Sequence, residues 1–397
     1  MADGFFSTPT HPRPPRSEDE RLDWLRLIRS RRVGAVTFHR LLAEHGSARD
    51  ALAALPELAL AAGVKDYRCC PAEVAQAEYA EARIAGAYAL CFGDDGYPAA
   101  LMELPDAPPL LWVQGDIGLL QRPKLALVGA RNASSLGLRM ATRLAEGLGQ
   151  AGYAIVSGLA RGIDKAAHEA ALPTGTIAVQ AGGVDVIYPE ENAALAQKIR
   201  EQGVRISEQP MGANPQTRHF PLRNRLIAGL SQAVVVVEAA ARSGSLITAR
   251  NAADQGREVM AVPGHPFDPR AAGCNMLLRD GAALIRNPTD VLEALGQPSP
   301  LSPSAQPPEP EIRAALAKKA PPPLPGPVPA TRPLSEMSEL HSRILARLGP
   351  SPLAEDQLIR DLAMPPAHLA PALLLLELEG EILRQPGGLL SRSSAGI

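Results

Sequence analysis

Residues 125–131, which read LALVGAR, decide the fold that this sequence predicts. An apolar run of strand length ends at Gly129, and Arg131 follows in the turn. Five further apolar runs of strand length lie between here and residue 262, with helical segments between them. Strands and helices that alternate at this spacing predict an α/β fold, an extended Rossmann-like, doubly wound parallel sheet.

The predicted strands and helices also predict where a ligand would bind. The strands cover residues 125–128, 154–156, 177–179, 204–206, 233–237 and 259–262, and helices are expected to begin near Leu136, Ile163, Glu190, Arg223 and Ser245. The unbroken apolar run 234–237 is typical of a central parallel strand. Ligands of such sheets bind at the carboxyl ends of the strands, so the loops after the strands form the candidate site.

These strand-end loops are rich in glycine, serine and arginine, which suit phosphate. Glycine lets the backbone approach a ligand, arginine contacts phosphate in a bidentate manner, and helix N-termini attract anions. The predicted binding residues are Arg131, Ser157, Gly158, Arg161, Lys165, Gly182, Gly183, Phe220, Arg223, Asn224, Arg225, Ser243, Gly244 and Ser245.

For some of these residues a purely structural interpretation stays open. Lys165 lies four residues before Glu169, so the two could form a solvated pair on one helix face. Phe220 could belong to the core, and Arg223 could pair with a carboxylate. In the functional interpretation, the arginines follow a nucleic-acid backbone and the Phe220 ring stacks on a base, as single-stranded nucleic acid requires.

The loops argue against several other functions. Asn132 and Ser134 stand where a G-x-G-x-x-G motif needs glycine, and the strand ending at Ser157 offers no carboxylate for a ribose, so a nicotinamide cofactor is rejected. No lysine follows a P-loop, and no nucleophile stands at a recognisable catalytic spacing. No histidine or carboxylate cluster suggests a metal. We predict no cofactor and no metal.

Composition sets further limits on the chain. Of 397 residues, 46% are hydrophobic and 21% are charged, as in soluble globular proteins. No apolar stretch approaches the roughly 18 residues of a membrane helix, and the polar N-terminus has no signal-peptide pattern. Four cysteines in so long a chain form no disulfide framework. We expect a reduced, cytoplasmic protein with no membrane contact.

Charge is unevenly distributed along the chain. The formal net charge is −2, yet residues 122–289 hold 19 Lys and Arg against 13 Asp and Glu. A basic middle within an acidic whole favours an anionic ligand for that middle, although an excess of solvated arginines would give the same count.

Changes in composition predict five segments. They are a disordered N-terminus (1–16), a helical domain with a connection (17–121), the Rossmann-like domain that holds the candidate nucleic-acid site (122–296), a linker (297–333) and a winged-helix domain (334–397). The linker holds 13 of the 39 prolines and should be stiff and extended. Residues 33–38 suggest a SAM-like or helix-hairpin-helix turn without its second glycine, so a packing module and a DNA clamp both stay open. Three helices (339–348, 355–362 and 367–379) and a hairpin (382–390) indicate the winged helix.

Six motifs in register over about 150 residues resemble the DprA/Smf family, the DNA-processing proteins of natural transformation. They are Gly129-Ala130-Arg131, Ser157-Gly158 with Ala160 and Gly162-Ile163-Asp164, Gly182-Gly183 with Asp185 and Tyr188-Pro189, Phe220-Pro221 with Arg223-Asn224-Arg225, Ser243-Gly244-Ser245-Leu246-Ile247-Thr248-Ala249, and Pro263-Gly264. The order of domains is also similar to that of the family.

The resemblance implies a sequence-independent single-stranded DNA binding protein that protects incoming DNA and helps to load the RecA recombinase. It implies a protein that is not an enzyme, and a homodimer formed through the Rossmann domain. Carried over to this sequence, the DNA pocket would be the strand-end loops, with Arg131 as the leading residue.

The tail departs from what duplex binding requires. Residues 334–397 hold 5 basic and 8 acidic side chains, and the expected recognition helix, 367–381, carries Glu377, Glu379 and Glu381 but no Lys or Arg. Such a helix would repel duplex DNA. We predict that the winged helix packs on a partner or on the Rossmann domain.

Two other classes of function compete with DNA binding. One is a nucleotide-processing enzyme similar to the lysine-decarboxylase-like phosphoribohydrolases, whose P-G-G-x-G-T loop is not matched by residues 238–245. The other is a nucleotide-sensing regulator whose winged helix reads duplex DNA, against which the acidic third helix argues.

Overall fold

The computed structural model describes residues 13–296, 334–348, 352–385 and 389–393. They form two units: residues up to 133 with 137–286, and residues 134–136 with those from Asn287 onward. Residues 13–16 have no regular secondary structure. The rest of the predicted disordered N-terminus and the whole predicted linker, 297–333, lie outside the described residues.

The first unit begins with four helices: α1 (Glu18–Arg29), α2 (Ala35–His45), α3 (Ala48–Ala61) and α4 (Ala72–Ala85). The hydroxyls of Ser17 and Ser47 accept N–H groups of the first turns of α1 and α3, which fixes where these helices begin. The rings of Trp24 and Phe38 pack edge to face in the core, 5.0 Å apart. The small helical N-terminal domain of the predicted fold class is confirmed.

A nine-stranded sheet follows. Its strands are β1 (Tyr88–Cys91), β2 (Leu110–Gly115), β3 (Lys124–Val128), β4 (Ala154–Ser157), β5 (Thr176–Val179), β6 (Val204–Ser207), β7 (Ala233–Val236), β8 (Glu258–Ala261) and β9 (Ala283–Leu284). Their spatial order is β1-β2-β6-β5-β4-β3-β7-β8-β9. Strands β3 to β9 pair in parallel, which confirms the predicted fold class, and β1 and β2 add an antiparallel edge.

The sheet takes in part of the segment that the sequence predicts to be a connection. Strand β2 pairs with β6, so that Val113 lies opposite Ile206. The two residues are far apart along the chain, and the local pattern of 88–115, broken by turns and by the short helix α5 (Ala99–Met102), carries no sign of that partner. Only the long-range pairing shows that the sheet begins at Tyr88.

The helices around the sheet are α6 (Ser135–Gln150), α7 (Ile163–Ala171), α8 (Ala193–Gln202), α9 (His219–Leu230), α10 (Ser245–Asp254) and α11 (Ala272–Arg279). Helix α9 begins at His219 and not near Arg223, so it takes in Phe220 and Pro221. A proline in the first helical turn costs little because its missing N–H would have no partner there. Helix α8 begins after a 3₁₀ turn, Glu190–Asn192.

The side of the sheet to which the chain adds its strands switches between β3 and β7, which are parallel neighbours. Strands β3, β4, β5 and β6 follow one another to one side, and β7, β8 and β9 to the other. Adjacent loops that leave in opposite directions open a crevice at the carboxyl ends of β3 and β7. Arg131 follows β3, and the loop before Ser245 follows β7, so both flank this switch point.

The second unit contains α12 (Pro288–Ala294), α13 (Leu334–Arg347), β10 (Leu353–Ala354), α14 (Glu355–Leu362), α15 (Pro366–Leu378), β11 (Ile382–Gln385) and β12 (Leu389–Arg392). The last three strands form an antiparallel sheet in the order β10-β12-β11. Leu358, Leu373 and Leu390 are among the residues of its buried core. The predicted winged helix is confirmed. Across both units, no helix among the described residues is long and apolar enough to cross a membrane.

Candidate nucleic-acid interface

A buried arginine, Arg223 of α9, ties together the ends of two strands. Its Nη1 donates to the carbonyl of Gly158, at 2.6 Å, and to the carbonyl of Val179, at 2.5 Å. Burial lowers the pKa of Arg223 to about 10, the carboxylate of Asp164 acts in the opposite direction, and the charge of Arg131 adds to the lowering. The buried guanidinium therefore connects α9 to the ends of β4 and β5 through hydrogen bonds.

The loop that precedes α7 is held by a carboxylate from the first turn of that helix. Asp164 Oδ2 accepts the N–H groups of Gly158, at 3.1 Å, and Ala160, at 3.4 Å. Burial raises the pKa of Asp164, while Arg223 and these two N–H donors pull it down. Two N–H groups of the loop in which the anion site is predicted therefore already donate to a carboxylate of the chain itself.

His168 completes this buried layer in a neutral form. Its Nε2 accepts the N–H of Leu159, at 3.3 Å. Since the hydroxyl of Thr176 donates to the carbonyl of Ile155, its oxygen accepts Nδ1–H of His168, at 2.7 Å. Burial lowers the pKa of His168 to about 3, with a further lowering from Arg223. We call Ser157, Asp164, His168 and Arg223 the inner layer.

The first turn of α6 is also occupied by the chain itself. A Cβ added at Gly137 would lie 2.4 Å from Cδ of Glu238, so the Glu238 carboxylate rests against this turn. A Cβ at Gly129 would lie 2.9 Å from the carbonyl oxygen of Glu238. Gly129 and Gly137 therefore let the loop after β7 pack against β3 and α6, where a Rossmann enzyme would hold a dinucleotide phosphate.

Further predicted DNA contacts lie inside the fold, bound to their own chain. Ser157 Oγ donates to the carbonyl of Leu127, at 2.6 Å. Arg225 pairs with Glu208, at 2.5 Å, and with Asp106, at 3.3 Å. The positions of Ser157, Gly158, Gly182, Gly183, Arg223, Asn224 and Arg225 do not support direct contact with DNA, because their polar groups bond to, or pack against, other loops.

Two predicted cations lie at the surface in pairs with carboxylates. Arg161 Nε lies 2.9 Å from Glu191, with both side chains more than half exposed. Lys165 lies 3.8 Å from Glu169 along α7, which is the solvated pair that the structural interpretation describes. Exposed ion pairs of this kind contribute little to the stability of the fold, so either side chain can exchange its partner for another charged group.

A cluster of two aromatic rings and one arginine lies on the outside of these loops, with Arg131 and Tyr188 exposed and Phe220 half-buried. The guanidinium carbon of Arg131 lies 5.3 Å from the ring centroid of Phe220. The Phe220 ring lies 5.8 Å from that of Tyr188, at 59°, and Tyr188 is 49% exposed. Within the described parts of the chain, Arg131 forms no ion pair. We call Arg131, Tyr188 and Phe220 the outer cluster.

Tyr188 is absent from the predicted site residues. It lies in the loop after β5, beside Pro189, and its ring reaches Phe220 of α9. The sequence signal for it was an aromatic residue within one of the strand-end motifs, but nothing local shows that this loop meets the start of α9.

The loop after β7 keeps its hydroxyls at the switch point. Ser243 Oγ and Ser245 Oγ lie 2.7 Å apart, and an added Cβ at Gly244 would meet no atom within 4 Å. Arg242 is exposed and, among the residues that the structure describes, has no ion-pair partner. Ser245 is buried, so this loop offers the exposed Arg242 cation and the half-buried Ser243 hydroxyl to a ligand that approaches from outside.

The depression beneath the outer cluster is too small for a nucleotide. It is lined by Gly158, Gln180, Tyr188, Phe220 and Arg223, among others, and its volume of about 10 Å³ holds about one water molecule. Pockets that enclose small-molecule ligands span several hundred cubic ångströms. A ligand at this edge must lie across the surface.

Sequence comparisons connect this arrangement with known proteins. The family model described as DNA recombination-mediator protein A matches residues 88–296. The models for the DprA-like N-terminal HHH domain and the DprA winged helix domain match 18–81 and 328–388.

Individual relatives agree with these matches. The DNA processing protein DprA of Streptococcus pneumoniae is 47% identical over 50% of this chain and 71% of its own length. Protein Smf of Synechocystis is 36% identical over 74% of this chain and 77% of its own length. The X-ray structure of DNA processing protein A from Streptococcus pneumoniae has a TM-score of 0.54 and 37% identity, and covers 66% of this chain and 98% of its own. The family model alone matches just over half of the 397 residues, so this chain belongs to the DprA/Smf family of DNA recombination-mediator proteins.

Proposed function

We propose that this protein binds single-stranded DNA, independently of base sequence, across the carboxyl edge of its sheet. The observation that carries the proposal is the outer cluster, in which the exposed cation of Arg131 lies over the half-buried Phe220 ring and the exposed Tyr188 ring packs beside it. A cation for the backbone and an aromatic face for a base are the two elements of single-strand recognition.

The buried carboxylates explain why the ligand should be a polymer at the surface. Where an enclosed nucleotide would place its phosphate, the N–H groups of Gly158 and Ala160 already donate to Asp164, and the first turn of α6 already faces the Glu238 carboxylate. Phosphates must then be contacted from outside by exposed arginines such as Arg131 and Arg242. A single strand suits this arrangement because its unpaired bases present their faces to aromatic rings.

The same observations favour a binding role over the phosphoribohydrolase alternative. The depression at the site has room for about one water molecule. In the inner layer, Asp164 Oδ2 accepts two N–H groups, and both ring nitrogens of His168 are hydrogen-bonded inside the fold. A general acid or base must instead reach its substrate. We therefore propose that the protein is not an enzyme.

We further propose that the protein is cytoplasmic, acts as a homodimer through the Rossmann domain, protects incoming single strands and helps to load RecA onto them during DNA uptake. Membership of a recombination-mediator family supports this assignment. The unpaired thiols of all four cysteines, each within the described residues, suit a reducing compartment. An open groove of about 460 Å³ between α10 and α11, with Leu246, Val259 and Met276 in its lining, is the surface we propose for the second copy.

The central test is a salt titration of binding to a labelled oligothymidine, with wild type, Arg131→Ala and Arg161→Ala. Both variants remove one exposed arginine, but only Arg131 lies on an aromatic ring, and Arg161 pairs with Glu191. For single strands, each phosphate contact adds roughly 0.7 to the magnitude of the log–log slope. We expect Arg131→Ala to bind more weakly with a slope smaller by about one contact, and Arg161→Ala to stay close to wild type.

Other results would change the assignment. Wild type that ignores single strands but binds or hydrolyses a nucleoside monophosphate would replace the proposal with the enzyme. Equal losses for the two variants would remove the outer cluster from the site. For the dimer and RecA, sedimentation of the protein and the rate of RecA filament growth on single strands, with and without the protein, are the direct measurements.

A further inference from the structure

The loop between β8 and α11 presents a second aromatic ring at the same edge of the sheet. Phe267 is 76% exposed, and its ring lies 5.6 Å from that of His265. Exposure of so much of a phenylalanine side chain opposes the hydrophobic effect, and the DNA contacts proposed above do not use it.

Hydrogen bonds hold this loop in one shape. Asp268 N–H donates to the carbonyl of His265, at 2.9 Å, and the N–H of Phe267 donates to His265 Nδ1, at 3.3 Å. The Asp268 carboxylate accepts Nε and Nη2 of Arg270, both at 3.1 Å. At the start of the loop, the side-chain amide of Asn275 accepts the N–H of Gly264 and donates to the carbonyl of Gly264. The loop thus neutralises its own charges and leaves a fixed ring facing outward.

Packing connects this loop to the outer cluster. The N–H of Gly273, just after the loop, donates to the carbonyl of Ala239, at 2.7 Å, and a Cβ there would lie 2.8 Å from the carbonyl of Ala240. Ala239 and Ala240 precede Arg242 in the loop after β7, and that loop packs against Gly129 beside Arg131. Three strand-end loops in mutual contact therefore run from Arg131 to Phe267.

The order of the strands in the sheet sets the order in which these loops follow one another along its edge. Strand β8 lies two positions from β3, which is about 10 Å across a sheet. The cation Arg242 comes from the loop between them. The loops after β3, β7 and β8 thus offer, in the order of their strands, the Arg131 cation over the Phe220 ring, the Arg242 cation and the Phe267 ring, and a strand of alternating phosphates and bases can follow such an order.

We propose that Phe267, supported by His265, is a second base-stacking platform, which takes a nucleobase of the same single strand that the outer cluster holds. This inference rests on the proposed function and extends it from one contact region to two. A single strand is favoured over a second copy of the chain as occupant, because the ring lies at the same sheet edge as the exposed cations Arg131 and Arg242, and the residue that follows its loop packs against the loop of Arg242.

The test compares thymidine oligomers of about two and about twelve nucleotides, because two adjacent bases are too close together to reach both regions and only the longer oligomer spans them. We expect Phe267→Ala to weaken binding of the longer oligomer about tenfold and that of the shorter one by less than about twofold. The salt slope should not change, since no phosphate contact is lost. Phe267→Leu, which keeps apolar volume without a π face, should lose most of the same affinity.

A tryptophan at this position gives a direct readout. Trp24 and Trp112 are both buried, so Phe267→Trp would supply the exposed fluorophore. We expect affinity near that of wild type and fluorescence quenching by the longer oligomer.

Several results would overturn the inference. They are unchanged affinity of Phe267→Ala for the longer oligomer, equal loss for both lengths, or a loss that sedimentation traces to weaker self-association. If Arg131→Ala still weakens both oligomers, the proposed function survives without this platform. If wild type binds neither oligomer, the proposed function fails and the platform fails with it.

Discussion

The inner layer and the outer cluster come from the same strand-end loops and use similar residues, yet they do different work. Arg223 lies in the inner layer, where carbonyls of β4 and β5 surround its guanidinium. Arg131 lies in the outer cluster, with an aromatic ring on one side and solvent on the other. The comparison shows that a glycine-rich and arginine-rich motif at a strand end can serve to close the fold as well as to hold a ligand.

Burial decides which of the two roles a residue takes. A buried guanidinium must be bonded on several sides, or its desolvation would destabilise the fold. Those internal bonds leave little for DNA. An exposed guanidinium on a ring keeps its donors for phosphate and is held in place by the cation–π contact. The inner layer should therefore control stability, and the outer cluster should control affinity.

The largest expected effect tests the inner layer. Arg223→Ala removes the bonds to Gly158 and Val179 and leaves Asp164 buried without its cation, so we expect a loss of about 3–5 kcal/mol in the free energy of unfolding. Arg161→Ala is the matched control and should cost less than about 1 kcal/mol, because that arginine is exposed. Denaturant unfolding measures both. A stable Arg223→Ala variant that has lost DNA binding would place Arg223 in the DNA site.

The second prediction uses the pH dependence of the inner layer. The folded pKa of His168, about 3, lies below its ordinary value of 6.5. The unfolded chain therefore binds a proton that the folded protein does not. The stability that His168 contributes is complete above about pH 6.5 and is lost as the pH falls toward 3, by at most about 1.4 kcal/mol per pH unit.

Subtracting a variant isolates this contribution. The raised pKa of Asp164 has the opposite sign, since ionisation of that carboxyl destabilises the fold as the pH rises above 3.8. Urea unfolding of wild type and His168→Gln between about pH 7 and pH 4 should show a shallower loss in the variant. Parallel curves would mean that His168 is not held neutral.

The third prediction compares two apolar side chains of helix α9, one inside the outer cluster and one outside it. Phe220 belongs to the outer cluster, and Leu222, two residues later on α9, is 48% exposed. We expect Phe220→Ala to lower affinity for oligothymidine about tenfold, through lost stacking and a freed Arg131. Leu222→Ala should change affinity less than about twofold. Similar losses from both would point to a general apolar surface instead of an aromatic platform.

The smallest expected effect concerns the winged helix. Helix α15 exposes Leu374 and Leu375, and Glu379 follows it with 56% of its side chain exposed. Such a surface suits a protein partner better than a phosphate backbone. Deletion of residues 334–397 should therefore change intrinsic affinity for single strands by less than about twofold in an equilibrium titration. A large loss would mean that this domain contacts the DNA.

Much of the fold could be predicted from the sequence. Six apolar runs between residues 125 and 262 correspond to β3 to β8, with ends that differ by no more than one residue. This agreement arises because parallel strands buried on both faces are continuously apolar and separated by turn residues. Strands β1 and β9 lack this signal, because β1 is partly exposed and β9 has only two partly exposed residues, and β2 lies in a segment that the sequence predicts to be a connection.

The sequence by itself determined the family, the parallel sheet and the set of strand-end loops, because periodicity and motif spacing are local properties of the chain. Only the tertiary structure decided which arginine of those loops is buried. Arg131 and Arg223 are the same residue type in two of these motifs. Arg223 donates to carbonyls at the ends of β4 and β5, whereas Arg131 lies over an aromatic ring at the surface. The ring of Tyr188 likewise meets Phe220 only after the sheet has folded, since burial and contact depend on parts of the chain that are distant in sequence.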